Sequence, residues 1–154
     1  MSLEIIIGNH QDVVEIPVSW LTALEDIGSQ AARLALDVAI DNENSLQHLA
    51  TLEVAMVDDE TSSKVHFDFM EIAGPTDVIT FHHGEIVIGA EVALRQAEEY
   101  GEPLGREILR YFVHGLLHLA GYEDATESET ATMNAAQEKI VSTLWERTLE
   151  DRLS

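Results

Sequence analysis

The stretch Arg106–Asp124, "REILRYFVHGLLHLAGYED", decides how the rest of the chain is read. Its apolar residues Ile108, Leu109, Phe112, Val113, Leu116 and Leu117 recur at helical spacing and predict a helix over 105–119 with one strongly apolar face. Gly121 lies just past the end of that helix, where a glycine lets the chain leave in a left-handed turn. His114 and His118 are four apart, so both rings share one face, a turn apart, where two imidazoles can hold one cation. The chain that leaves through Gly121 can fold back so that Asp124 reaches the same place.

The pattern is H-x-x-x-H-x-x-G-x-x-D. The metzincin peptidases have this ligand spacing, but with a glutamate after the first histidine and a third histidine at the end. That glutamate is their general base. Here its position is Gly115, which can neither take a proton nor orient a water, so peptidase chemistry is not expected. A histidine pair on a helix is in itself a weak signal. The other reading is a helix end whose histidines bond to backbone carbonyls and favour the helix dipole when protonated.

Outward from this helix, the chain reads as alternating short strands and helices. Leu3–Ile7 and Thr51–Val57 have strand character, the second alternating Leu52, Val54 and Met56. Between them Ser19, following Pro17, is the expected cap of a helix with Trp20, Leu21, Leu24, Ile27, Leu34 and Val38 inward, although Gly28 weakens it. Asp58 or Asp59 caps a helix toward Phe69. Val78–Phe81 and Glu85–Ile88 form a hairpin about the turn "HHG". A helix over 90–100 ends at Gly101. Thr126 and Glu129 form a capping box that opens a last helix, with Met133, Ala136, Ile140, Leu144 and Trp145 inward. The expected fold is α+β: a small mixed sheet of about four strands packed by about five helices, in one domain over 1–154, with a metal site at the end of a central helix.

Composition narrows the classes. The 154 residues include 45% hydrophobic side chains, enough for a sizeable core, and no cysteine, which removes disulfides and thiolate sites. The N-terminus lacks the basic and apolar regions of a signal peptide, and no run is long enough to span a bilayer, so a soluble cytoplasmic protein is expected. The formal net charge of −21 opposes non-specific contact with nucleic acid and predicts a solvated acidic surface.

Three segments in order, "GPTDVITF", "HGEIVIGAEVALRQAEEYG" and "REILRYFVHGLLHLAGYED", together resemble the YbeY family of metal-dependent endoribonucleases. The family's motifs read P-T-D-V-L-S-F, then G-D-I-V-I with a helix ending Q-A-x-E-Y-G, then H-G-x-L-H-L-x-G-Y-D-H. The preceding "VAMVDDE" fits as well, so the resemblance covers essentially the whole chain. It implies a small α+β fold with one zinc ion on three histidines. It also implies cleavage of single-stranded RNA in 16S ribosomal RNA 3′-end maturation and ribosome quality control. The implied partners are ribosomal RNA and small ribosomal subunit proteins, with neither DNA nor a membrane. His114 and His118 match the first two ligands, Asp124 stands at the third, Tyr122 matches the family tyrosine and Glu123 replaces its aspartate.

Two positions depart from the family. Aspartate is itself a zinc ligand, so His114, His118 and Asp124 remain a complete set. The anionic oxygen lowers the positive charge of the site and widens its metal choice toward iron or manganese. Being shorter than histidine, it requires the loop to move inward. The arginine that the family places five residues before the proline is Met70 here. Arg106 and Arg110 continue the histidine row at steps of four. Arg110, with His114 and His118, is thus a candidate catalytic group that would neutralise a phosphodiester transition state. The other reading pairs both arginines with surface glutamates. His82 and His83 are expected as exposed turn residues, or one of them beside the cleft. Thr76 and Asp77 are expected to organise the start of their strand.

Overall fold

The structure is a computed structural model that describes residues 3–154, the side chains of 147 and 148 aside. In chain order its elements are β1 (Glu4–Asn9), α1 (Val18–Asp37), α2 (Ser45–His48), β2 (Thr51–Val57), α3 (Asp59–Met70), β3 (Val78–Phe81), β4 (Glu85–Gly89), α4 (Ala90–Tyr100), α5 (Leu104–Leu119) and α6 (Glu127–Leu144), followed by a π-helical turn at Trp145–Leu149. The four strands form one sheet in the order β1-β2-β4-β3. β1 and β4 flank β2 in parallel, and β3 runs antiparallel to β4.

Strand alternation places Ile7, Leu52, Val54, Met56, Ile86 and Ile88 on one face, all buried, and α1 and α5 pack over them. Glu53 and the half-exposed Ile6 point to the opposite face. α5 is the centre of the molecule. Ile108, Leu109, Phe112, Val113, Leu116, Leu117 and Leu119 are buried against α1, α4, α6, β3 and β4. Truncating one of these leucines to alanine would cost roughly 2–5 kcal/mol, because the walls of such a cavity relax only partly.

The α+β architecture is the one expected, and differences lie at element ends. Ser19 is not the cap of α1. The helix starts two residues earlier, at Val18, with Pro17 in the N-cap position and no side-chain cap. Proline presets the backbone there and has no N–H of its own to satisfy. Val38 is the C-cap rather than an inward residue, and is 39% exposed. Gly28 belongs in α1 because a Cβ there would stand 2.5 Å from Ile5 Cδ1, where the helix crosses β1. Asp58, not Asp59, caps α3 by accepting from the Thr61 N–H. The capping box of Thr126 and Glu129 is present. The additional helix is α2, a single turn capped by Asn44. Among the described residues, no helix is long and apolar enough to cross a membrane.

Candidate metal centre

The last two turns of α5 carry His114 and His118 with their rings edge to face and 4.7 Å apart. Each ring is oriented through Nδ1. His118 Nδ1 lies 3.0 Å from the Tyr122 carbonyl oxygen, which can only accept, so this nitrogen carries the proton. His114 Nδ1 lies 2.7 Å from Gln137 Oε1, and the Gln137 amide donates to Glu138 Oε2 at 3.0 Å. That second bond fixes which end of the amide faces the ring, so His114 also donates from Nδ1. Both Nε2 atoms are left with free lone pairs. Burial pushes His114 below its ordinary pKa, outweighing the Gln137 contact, and so favours the neutral imidazole that ligation needs.

Asp124 completes the group. Its Oδ2 stands 3.7 Å from His114 Nε2 and 3.5 Å from His118 Nε2. The three residues offer ligand atoms all within 4.8 Å of one another. Ligand bonds of about 2.0–2.2 Å in a tetrahedron put neighbouring ligand atoms about 3.3–3.6 Å apart. The spacing and the donor set of two nitrogens and one carboxylate oxygen therefore fit a single divalent ion, with room for a fourth ligand. The turn after α5 brings Asp124 back to the histidines. Gly121 takes φ +103°, which side chains strongly disfavour. Tyr122 N–H then bonds to Leu117 O at 3.0 Å, and its hydroxyl donates to Val38 O at 2.7 Å.

The group sits in a cleft of about 420 Å³ whose walls include Met70, Thr76, Asp77 and His82. Met70 brings no positive charge to this wall. Asp77 accepts from the Val78 N–H at 2.7 Å and from Thr76 Oγ1 at 3.2 Å, so it organises the start of β3 as expected. The two turn histidines divide the alternatives between them. Both are exposed, but His82 lines the cleft, its Nδ1 engaged by Ser45 Oγ at 2.8 Å, whereas His83 pairs with Glu85 at 3.3 Å.

Gly115 is fixed by space. A Cβ there would stand 2.6 Å from Cδ1 of the fully buried Ile86 and no more than 3.0 Å from its Cγ1 and Cγ2. The position is closed to a general-base glutamate by the sheet itself.

Arg110, one turn before His114, is caged. Its guanidinium donates to both oxygens of Glu138 at 2.7 and 2.9 Å, to Glu102 at 2.6 Å and to Glu107. Of the two arginines weighed from the sequence as glutamate partners, Arg110 has that pairing, and it is largely buried rather than at the surface. Three carboxylates around one guanidinium leave no net positive charge for a substrate. Arg106 reaches Ser142 Oγ at 3.3 Å and lies over the Trp145 ring. Gln137 was absent from the sequence-based site. Its signal was a polar residue on the inward face of α6, between Met133 and Ile140.

The Endoribonuclease YbeY family matches this chain over residues 22–145. The chain belongs to the YbeY family. Its relatives include the endoribonuclease YbeY of Symbiobacterium thermophilum, 31% identical over 92% of this chain and 97% of the relative. That of Carboxydothermus hydrogenoformans is 32% identical over 90% and 95%. A solution structure of a Thermotoga maritima protein superposes with a TM-score of 0.62 at 22% identity, covering 94% of this chain and 89% of the other. That likeness concerns the fold alone. The histidine pair, the turn glycine and Asp124 stand together at one helix end.

Proposed function

We propose that this chain is a metal-dependent endoribonuclease that hydrolyses phosphodiesters of single-stranded RNA. By this reading it acts in the cytoplasm, in 16S ribosomal RNA 3′-end maturation and ribosome quality control, with ribosomal RNA and small ribosomal subunit proteins as partners. The observation that carries the chemistry is the convergence of His114 Nε2, His118 Nε2 and Asp124 Oδ2, together with membership of the family. The net charge of −21 favours basic ribosomal proteins as the docking contact over naked RNA.

His114, His118 and Asp124 would hold one ion, zinc by our reading, with other divalent metals accepted because one ligand is a carboxylate. When bound, the ion supplies Lewis acidity toward a water and a phosphoryl oxygen. Gln137 and the Tyr122 carbonyl keep both histidines in the ligating tautomer. Gly115 offers no base. His82, held by Ser45 at the cleft wall, is the protonatable group placed to give a proton to the leaving oxygen. Arg110, a candidate catalytic group by sequence, is in this reading a positioning residue that fixes α5 to α6.

A second reading has one observation behind it: among the described residues no lysine or arginine lines the cleft, with Met70 at the family arginine's position and Arg110 caged. The protein would then be an assembly factor that kept ribosome association and lost efficient cleavage. An RNase assay with added Zn²⁺ or Mn²⁺ separates the two. Cleavage by the wild type that disappears in His118→Ala supports the first. Cleavage gained only in Asp124→His or Met70→Arg supports the second. Purified protein that holds no metal, with His118→Ala behaving as wild type, overturns the metal-centred reading.

A further inference from the structure

A second cleft, of about 450 Å³, reaches back along α5 from His114 to Glu107, between α4, α6 and the residues leading into β3. Small-molecule sites commonly occupy roughly 300–1,000 Å³. The two clefts share Thr76, Asp77 and His114 as walls, so Asp77 and a ligating histidine form the ridge between them. The three segments that carry the family resemblance also meet here. Asp77 comes from the first, Gln96 from the second and His114 from the third, whereas the metal ligands come from the third alone.

The polar groups of this cleft say what it can take. Both hydrogen bonds to the Asp77 carboxylate, from Thr76 Oγ1 and from the Val78 N–H, fall on Oδ1, so Oδ2 keeps its lone pairs. The side-chain amides of Gln96 and Asn134 find no partner among the described residues. Arg110 is enclosed by three carboxylates, and no lysine lines the walls. The cleft therefore repels phosphate. It offers an acceptor-only carboxylate oxygen and two amides that both donate and accept, which suits an uncharged ligand with N–H donors.

RNA with its scissile bond at the histidines carries a nucleotide on each side of that bond, and the cleft beyond the ridge is open to one of them. A nucleobase is uncharged, and an unpaired one is read by hydrogen bonds along its edge. Guanine presents two N–H donor groups side by side, which one carboxylate accepts together. Uracil sets a single N–H between two carbonyls, which a carboxylate repels.

We propose that this second cleft is a base-reading pocket for an unpaired guanine next to the bond at the metal, with Asp77 accepting from its N–H groups and Gln96 and Asn134 bonding the rest of its edge. This rests on the reading of the metal centre as an RNA-cleaving site and names what that site prefers beside the cut.

The net charge of −21 acts alike on ligands of equal charge, so the probes are the RNA trinucleotides UGU and UUU. Titrated into the ¹⁵N-labelled full-length protein in EDTA, UGU should shift the side-chain amide signals of Gln96 and Asn134. It should bind roughly tenfold more tightly than UUU, the size expected of one carboxylate–base pair. Asp77→Asn keeps an oxygen for the Val78 N–H but turns the free oxygen into a donor. It should bring UGU to the affinity of UUU, with the melting temperature near that of the wild type. Asn134→Leu, at an exposed position of α6, should weaken UGU and leave UUU unchanged, which tests the pocket without touching β3. Equal affinity for the two trinucleotides, no binding of either, or a preference that survives both substitutions overturns the pocket. So does binding that leaves both amide signals in place. Cleavage of a longer single-stranded RNA with metal keeps the two claims apart. Cuts made without regard to guanine, with UGU and UUU bound alike, remove the pocket and leave the nuclease. Preference for UGU without cleavage leaves the pocket and removes the nuclease.

Discussion

Two neighbouring stretches of α5 carry charged or ligating groups to one side of the helix, and they are solved in opposite ways. At Arg110 a guanidinium meets three carboxylates, every donor direction is taken, and the cluster holds α5 to Glu138 of α6 and to Glu102 in the turn before α5. At His114 and His118 the hydrogen bonds fall only on Nδ1, and the remaining nitrogens converge with Asp124 on a common point. Saturated charges stabilise a structure; aligned lone pairs left without donors define a place for something else. The row looks uniform along the sequence, but the partners each residue finds assign half of it to architecture and half to chemistry.

The sharpest way to break this contrast is His118→Ala. Outer-shell partners of metal ligands are worth about 10–100-fold in metal affinity, so loss of a ligand should exceed about a hundredfold, with little change in the denaturation midpoint of the metal-free protein. A large loss of metal-free stability would mean that the histidines are structural after all. Arg110→Met should do the opposite. It leaves the mostly buried Glu107 without its cation and should destabilise by about 3 kcal/mol in urea unfolding. That is the low end for such pairs, since Glu138 is partly exposed. Metal affinity per folded molecule should stay near wild type, and a drop as large as that of His118→Ala would erase the distinction between the two stretches.

Gln137→Leu probes the seam between them, because Gln137 touches both His114 and Glu138. We expect roughly tenfold weaker metal binding, read by chelator competition, from loss of ring orientation. The smallest effect concerns pH. Burial pushes the Glu107 carboxyl above the usual carboxylate range despite Arg110 and Tyr111. The folded protein therefore keeps a proton that the unfolded chain has released, and this group makes stability fall as pH rises through that window. Glu102 is held below the range by its hydrogen bond from Arg110. Glu138 is raised by burial but held below it by its bonds from Arg110 and Gln137. Their contribution is complete above the ordinary carboxylate range and fades as pH falls toward their folded values. Glu107→Gln should abolish the first slope and keep the second in unfolding midpoints measured from acid to neutral pH. An unaltered profile would place the titration elsewhere.

What the sequence made readable was what repeats or stands close along the chain. The α5 stripe, the hairpin, the box at Thr126 and the His-x-x-x-His-x-x-Gly spacing depend on neighbours within a turn or two. Glu107 and Glu102 stand within about two turns of Arg110, but the third carboxylate around it does not. Glu138 lies 28 residues away, and only the packing of α6 on α5 selects it from the 29 acidic residues of the chain. Gln137 was hidden for the same reason, since a lone polar residue on an apolar face names no partner. α2 is a single turn, too short for periodicity to show. Pro17 was passed over as a cap because the usual signal is a side-chain acceptor, and this helix start has none.

Gly115 also governs how this fold can be altered. Because Ile86 fills the space beside it, no single substitution brings a carboxylate to that turn. The strand residue must be reduced first, at a cost to the central core, before the helix residue can grow. A designer seeking amide hydrolysis from this scaffold must cross a destabilised intermediate, and so must a mutating lineage. The contact thus acts as a one-residue barrier that keeps the helix end out of reach of peptidase chemistry.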